Sequence, residues 1–123
     1  MEFSITNYIK QHARVFGSMD FSEIQKCLDL ITKTIGDGKK IITCGNGGSA
    51  STASHYITDW NKMYNLATGR KFRGLSLTDN VGLITAYGND ISYDEVFAGQ
   101  IDTLMDDGDL LDDGLGCFFD SDI

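Results

Sequence analysis

His55 and Asp59 are the residues of this 123-residue chain whose types and spacing best suit chemistry. They lie four positions apart in a segment, Ser49 to about Met63, that the sequence predicts to be helical, so their side chains share one helix face. An imidazole and a carboxylate on one face can bind a divalent metal such as zinc, or pass a proton between a base and an acid. A hydrogen-bonded pair without a chemical role is the alternative that the spacing alone leaves open.

A glycine-rich loop precedes this pair. The sequence predicts a strand over residues 41–44, then the loop, then a helix for which Ser49 is a natural N-cap. The unpaired N–H groups at such a helix start favour a phosphate or carboxylate. The loop matches neither Gly-x-Gly-x-x-Gly nor a Walker motif, which disfavours nucleotide binding. A tight turn without a ligand is the other interpretation, although the side chains of Asn46 and Ser49 add hydrogen-bonding groups.

A second polar corner, Gly88-Asn89-Asp90, follows a short helix that begins after a predicted strand at Leu75 and Leu77. Loops beyond the carboxyl ends of parallel strands share one rim of the sheet, so this corner could face the glycine loop. A simple helix C-terminal turn is the alternative.

Two further groups of side chains have less specific interpretations. The basic side chains that could hold an anion or lie in a solvated loop are Arg70, Lys71 and Arg73. The aromatic side chains interpreted as packing residues are Trp60, Tyr87 and Tyr93.

Periodicity places these sites on an α/β framework. Apolar residues at helical spacing predict amphipathic helices over 3–16, from a cap at Asp20 to Gly36, and over 93–105, with a polar loop at 65–72. Strands alternating with helices indicate a parallel sheet. Gly108 to Leu111 begins like a third strand that aspartates then interrupt. Two parallel strands need cover on both faces, so we expect an incomplete sheet and an oligomer.

Charge and cysteine content limit the class of protein. The net charge is −8, and seven aspartates fall within the last 18 residues, which contain no Lys or Arg. An acidic tail and a nearly neutral body disfavour nucleic-acid binding. Three widely spaced cysteines are typical of reduced thiols, and neither a membrane span nor a signal peptide is evident, so we expect a cytoplasmic protein with no membrane partner.

Several short motifs, taken in order, closely resemble the phosphoheptose isomerases of the sugar isomerase (SIS) domain family over roughly residues 8–111. The matching segments are Cys44-Gly-Asn-Gly-Gly-Ser49, His55, Leu77-Thr-Asp79, Leu83-Ile-Thr-Ala86, Gly88-Asn-Asp90 and Tyr93-Asp-Glu-Val-Phe97. The resemblance implies a flavodoxin-like, three-layer αβα sandwich around a parallel sheet, assembled as a homotetramer. It also implies conversion of a phosphorylated sugar, sedoheptulose 7-phosphate, into the aldose heptose 7-phosphate, often with one zinc ion per site.

The resemblance also assigns roles to residues. His55 matches a zinc ligand, and Asp59 stands where the family has a glutamate that acts as base and metal ligand. The shorter side chain sets the carboxylate back by about 1.5 Å, a displacement that can cost roughly 10²-fold in rate. The expected substrate-binding residues are Asn46, Gly47, Gly48, Ser49, Asn89 and Asp90.

The resemblance ends after Leu111, where the family continues into a serine-rich phosphate-binding loop and later supplies a Gln and a His. We therefore expect residues 1–111 to form the N-terminal part of a SIS domain and residues 112–123 to form an acidic tail outside the family pattern. An enzyme truncated in this way is expected to have weak activity or none. The alternative is a non-catalytic SIS module that binds a phosphosugar or a protein partner, as in a related adaptor that binds the replication initiator DnaA.

Overall fold

The computed structural model describes residues 4–112 and the short strand Phe118–Asp120. The α-helices in this part of the chain are Ile5–Gly17 (α1), Phe21–Gly36 (α2), Gly48–Asp59 (α3), Asn65–Thr68 (α4), Val81–Asp90 (α5) and Glu95–Leu104 (α6). A π-helical turn, Trp60–Tyr64, joins α3 to α4. The strands are Ile41–Thr43 (β1), Gly74–Ser76 (β2), Leu110–Asp112 (β3) and Phe118–Asp120 (β4).

Side-chain caps fix where three of the helices begin. Oγ of Ser4 accepts a hydrogen bond from the backbone N–H of Asn7, and Oδ1 of Asp20 accepts one of 2.9 Å from the N–H of Ser22. Asn80 caps α5 in the same way. Each cap satisfies an N–H group that has no partner within the first turn. The predicted first helix is confirmed from Ile5 onward, and the predicted cap at Asp20 is confirmed.

The strands form one sheet in the order β2-β1-β3-β4. β1 is parallel to both β2 and β3, so the prediction of a parallel sheet is confirmed, whereas β4 is antiparallel to β3. The expectation that aspartates interrupt the third strand is wrong for Asp112, which is its last residue and is only 3% exposed. The backbone oxygen of Asp112 accepts a hydrogen bond of 3.0 Å from the N–H of Cys44, the residue after β1. The pairing between β1 and β3 therefore extends one residue past the end of β1. The other residues of the expected tail, 113–117 and 121–123, lie outside the described residues.

Helices cover the sheet on both sides. On one side α3 packs on β1, where the hydroxyl of Thr43 donates a 3.0 Å hydrogen bond to the carbonyl of Ala53. On the other side α6 covers a core centred on Ile42, Cys44 and Leu77. The α6 residue Gln100 is buried there and donates from Nε2 to the carbonyl of Leu77. Helix, sheet and helix are thus stacked in three layers, and the α/β sandwich fold is confirmed.

Two expected loops are partly helical. Residues 65–68 of the expected polar loop form α4, which ends at Gly69 because that glycine adopts a left-handed conformation with φ 68°. The short helix predicted after the strand at Leu75 and Leu77 was expected to stop at Gly88, but α5 continues through Asp90. The polar corner Gly88-Asn89-Asp90 is therefore the last turn of a helix.

Candidate functional site

The glycine loop between β1 and α3 lies at the carboxyl end of β1. A Cβ atom on Gly45 would come within 2.8 Å of the backbone carbonyl carbon of Ser49, so only glycine allows the loop to fold this closely against the helix start. Gly47 has φ 56° and ψ −121°, a conformation that residues with side chains rarely adopt. The sequence therefore uses glycine at two positions to turn the chain directly into α3.

The predicted N-cap at Ser49 is wrong. The cap position is Gly47, which makes no side-chain cap bond, and α3 begins at Gly48. The backbone N–H of Ser49 donates instead to the carbonyl of Asn46, at 3.0 Å. Asn46, Gly47 and Gly48 are exposed, so the loop presents its polar groups to solvent at the rim of the sheet.

His55 and Asp59 form a pair on α3, as their spacing predicts. Nε2 of His55 lies 3.0 Å from Oδ2 of Asp59 across one helical turn. Both side chains are well exposed, at 72% and 56%, so a ligand or a partner can reach either of them. An accessible imidazole 3.0 Å from a carboxylate can orient that carboxylate and exchange a proton with it.

An open cleft of about 460 Å³ lies beside His55, whereas Asp59 is not among its lining residues. It runs between α3 and the segment that follows β2, and polar side chains form most of its lining. The lining residues are Ala50, Ser51, Ser54, His55, Thr58, Thr78 and Asp79. This volume is within the range of small-molecule sites, and hydroxyl groups suit a polyhydroxylated ligand.

The turn that follows the second polar corner is connected to the glycine loop through a tyrosine. Nδ2 of Asn89 donates a 2.8 Å hydrogen bond to Oδ1 of Asp90 in the exposed last turn of α5. Three residues further on, the hydroxyl of Tyr93 donates a 2.6 Å hydrogen bond to Oδ1 of Asn46. The interpretation of Tyr93 as a packing residue is wrong, because the residue is 60% exposed and its hydroxyl bonds to the glycine loop. The sequence signal that could have indicated this exposure is the position of Tyr93 just after the polar corner Gly88-Asn89-Asp90.

The donor types of the His55 and Asp59 pair suit zinc, which binds imidazole nitrogen and carboxylate oxygen. A catalytic zinc site needs three protein ligands. Within residues 4–112 and 118–120, no group of three or more His, Cys, Asp or Glu side chains is placed to hold a metal ion. The described chain thus offers two donors and not a complete zinc site.

The basic segment lies at a different cleft. Arg70 and Lys71 line a cavity of about 530 Å³ together with Tyr64 and residues from the end of α2. This cavity shares no lining residue with the cleft at His55. The structure therefore places Arg70 and Lys71 at a different cleft from His55.

The fold and this site define a sugar isomerase (SIS) domain, whose family model matches residues 6–111, and the chain belongs to this family. Among curated proteins it is 37% identical over 99 residues to the phosphoheptose isomerase of Aliarcobacter butzleri, covering 80% of this chain and 51% of the relative. It is 34% identical over 101 residues to that of Campylobacter concisus, covering 82% and 50%. The chain thus spans about half the length of these relatives.

Solved structures agree with this assignment. The phosphoheptose isomerase of Neisseria gonorrhoeae superposes with a TM-score of 0.72 at 28% identity, covering 86% of this chain and 53% of that one. The enzyme of Francisella tularensis gives a TM-score of 0.73 at 23% identity, a likeness that shows the fold alone.

In the described part of the chain, no helix has both the length and the apolar character needed to cross a lipid bilayer.

Proposed function

We propose that this chain takes part in the aldose–ketose isomerisation of a phosphorylated sugar, with sedoheptulose 7-phosphate as substrate and the aldose heptose 7-phosphate as product. The observation that carries the proposal is the exposed His55 and Asp59 pair, 3.0 Å apart on the helix that follows the glycine loop, with His55 lining a polar cleft. The names of the related proteins supply the substrate class.

The chemistry requires a proton to move between two adjacent carbons. Asp59 accepts the C1 proton of the ketose, which leaves an enediol after the C2 carbonyl oxygen gains a proton. Return of a proton to C2 and loss of the O1 proton then give the aldose, so atoms and charge balance. His55 holds the Asp59 carboxylate in place through the 3.0 Å contact.

Binding of the sugar is assigned to the two polar corners. Asn46 and the adjoining loop residues Gly47, Gly48 and Ser49 contact sugar oxygens near the reacting carbons, and Asn89 with Asp90 contacts the same ligand from the end of α5. His55 and Asp59 would supply two of the ligands of a zinc ion, and the bound ion would polarise the carbonyl oxygen of the sugar. The remaining ligands would come from beyond these two residues.

The assembly is proposed to be a homo-oligomer, with the tetramer of the family as the expected form. No residue of α1 is buried, and its apolar side chains Ile5, Ile9 and Phe16 are each more than half exposed. A contiguous exposed apolar face of this kind favours burial against another chain. Sedimentation velocity should show a multimer for the unmodified chain. We expect Ile9→Asp to dissociate this multimer and Gln11→Asp, the control on the same helix, to leave it intact.

The cellular role follows from this substrate. We propose that the protein serves nucleotide-heptose synthesis for lipopolysaccharide or capsule and works in the cytoplasm. Residues 1–111 are proposed to form the N-terminal part of a SIS domain. Neither nucleic acid nor membrane is a proposed partner.

Deuterium exchange tests the proposed reaction even at low turnover. The full chain is incubated with sedoheptulose 7-phosphate and Zn²⁺ in D₂O, and deuterium at C1 and C2 is followed by NMR. We expect exchange that Asp59→Asn abolishes and that Asp59→Glu raises by up to roughly 100-fold, because the longer side chain restores the reach of the carboxylate. Sugar binding without any exchange in all three proteins would instead support the non-catalytic module.

A further inference from the structure

We propose that Tyr93 is a positioning residue that sets the orientation of the Asn46 side-chain amide for sugar binding. Its hydroxyl donates a 2.6 Å hydrogen bond to Oδ1 of Asn46, a residue 47 positions earlier in the chain. This bond joins the turn between α5 and α6 to the glycine loop between β1 and α3. The turn just after the second polar corner is thereby joined to the glycine loop by a direct side-chain contact.

The hydrogen bond decides which end of the amide faces the ligand. An asparagine side chain carries one oxygen acceptor and one NH₂ donor group, and the two ends can exchange places by rotation. A phenol O–H that donates to Oδ1 holds the oxygen towards Tyr93 and leaves Nδ2 on the other side. Within residues 4–112, Nδ2 of Asn46 makes no hydrogen bond. Asn46 therefore presents two N–H donors, which suit a carbonyl or hydroxyl oxygen of a sugar.

The backbone of Tyr93 is anchored, although its ring is not buried. Its carbonyl oxygen accepts a 3.2 Å hydrogen bond from the N–H of Val96, a core residue of α6 that is 1% exposed. The Tyr93 side chain remains 60% exposed, so burial does not determine its position. A rigid ring with two rotatable bonds on a fixed backbone is well suited to hold a polar partner at low entropic cost.

Tyr87 provides a matched comparison. Its hydroxyl donates a 3.1 Å hydrogen bond to the carbonyl of Gly99, between α5 and α6 and away from Asn46. Tyr87→Phe and Tyr93→Phe each remove one hydroxyl and one hydrogen bond. A role in stability alone would leave the order of the Asn46 amide unchanged in both variants, whereas positioning of Asn46 would be lost only in Tyr93→Phe.

The test measures Asn46 and sugar binding separately by NMR on the ¹⁵N-labelled full chain. In Tyr93→Phe we expect the order parameter of the Asn46 side-chain N–H₂ group to fall, and the Kd for sedoheptulose 7-phosphate to rise roughly three- to tenfold, because the amide is no longer oriented before binding. Tyr87→Phe should leave both quantities within twofold of the unmodified chain. Asn46→Asp keeps the acceptor for Tyr93 but lacks the N–H donors, and it should bind the sugar at least as weakly as Tyr93→Phe.

The inference rests on the proposed function only for the identity of the ligand. If the unmodified chain binds no sugar phosphate, the proposed function fails, and the order of the Asn46 amide still decides whether Tyr93 positions it. An Asn46 amide equally ordered in Tyr93→Phe and in the unmodified chain overturns the inference, and so does a Kd within twofold of the unmodified chain when binding is measurable.

Discussion

Nζ of Lys40 lies 2.8 Å from Oδ2 of Asp109, which joins the residue before β1 to the residue before β3. Asp109 is only 1% exposed, and its two oxygens also accept hydrogen bonds from the backbone N–H groups of Lys40, at 2.7 Å, and Asp106, at 2.9 Å. Burial alone would raise the pKa of Asp109, but these hydrogen bonds, with the Lys40 ammonium first among them, outweigh burial and lower it. This buried carboxylate fixes the start of the two central parallel strands that end at the candidate site.

The first prediction concerns the pH dependence of stability. Because the pKa of Asp109 is lowered from 3.8, its contribution to stability is present above that pH and is lost as the pH falls through the folded-state value. The hydrogen bonds that the Lys40 ammonium donates, first to Asp106 and then to Asp109, raise the pKa of Lys40 from 10.5. Its contribution to stability is therefore present below that pH and is lost as the pH rises through the folded-state value. Urea-unfolding free energies should therefore be level between these limits and fall outside both. A maximum in the acid range, below the ordinary pKa of aspartate, would contradict this assignment.

A substitution separates the buried carboxylate from its exposed neighbour. Asp109→Asn removes one acceptor and turns an NH₂ group towards N–H donors, so we expect a loss of about 3–5 kcal/mol in unfolding free energy. Asp106→Asn is the control, since Asp106 contacts the same Lys40 ammonium but its side chain is 78% exposed, and it should cost at most about 1 kcal/mol. Equal urea midpoints for the two variants would mean that the buried contact does not hold the strands.

Zinc binding can be tested with the two histidines of the chain. His55 faces Asp59 on α3, whereas His12 lies on α1 with Nδ1 3.0 Å from the carbonyl of Tyr8. We expect His55→Ala to lower the affinity for Zn²⁺ by at least about tenfold, because it removes a direct ligand, and His12→Ala to leave it unchanged. Isothermal titration calorimetry with the metal alone measures this without any substrate. Identical affinities in the two variants would remove His55 from the proposed zinc site.

The sequence predicted the parts of the fold that depend on local patterns. Helical periodicity and side-chain caps gave α1, α2 and α6, and the glycines after β1 marked the loop, because these signals depend on neighbouring residues. The contact between Tyr93 and Asn46 could not be predicted, since it joins residues 47 positions apart and follows from the tertiary fold. Asp112 was missed for a related reason: a buried carboxylate inside a strand contradicts the apolar pattern by which buried strands are recognised.

The last prediction distinguishes the structural role of the glycine loop from its proposed binding role. A methyl group at Gly45 would meet the backbone of Ser49 at 2.8 Å, and backbone cannot move aside as a flexible side chain can. Gly45→Ala should therefore cost about 1–3 kcal/mol in urea-unfolding free energy. Gly48→Ala is the matched control, because a Cβ there meets nothing within 4 Å at the first position of α3, where alanine is the better helix former.

The two variants should separate stability from binding. Gly48→Ala should be as stable as the unmodified chain or more so, and any weakening of sugar binding in it then reports a methyl group in the proposed binding loop. Gly45→Ala should lose stability with or without a ligand, because the close approach to Ser49 exists in the free chain. If Gly45→Ala unfolds at the same urea concentration as Gly48→Ala, the start of α3 is not held against the end of β1 as closely as the distances require.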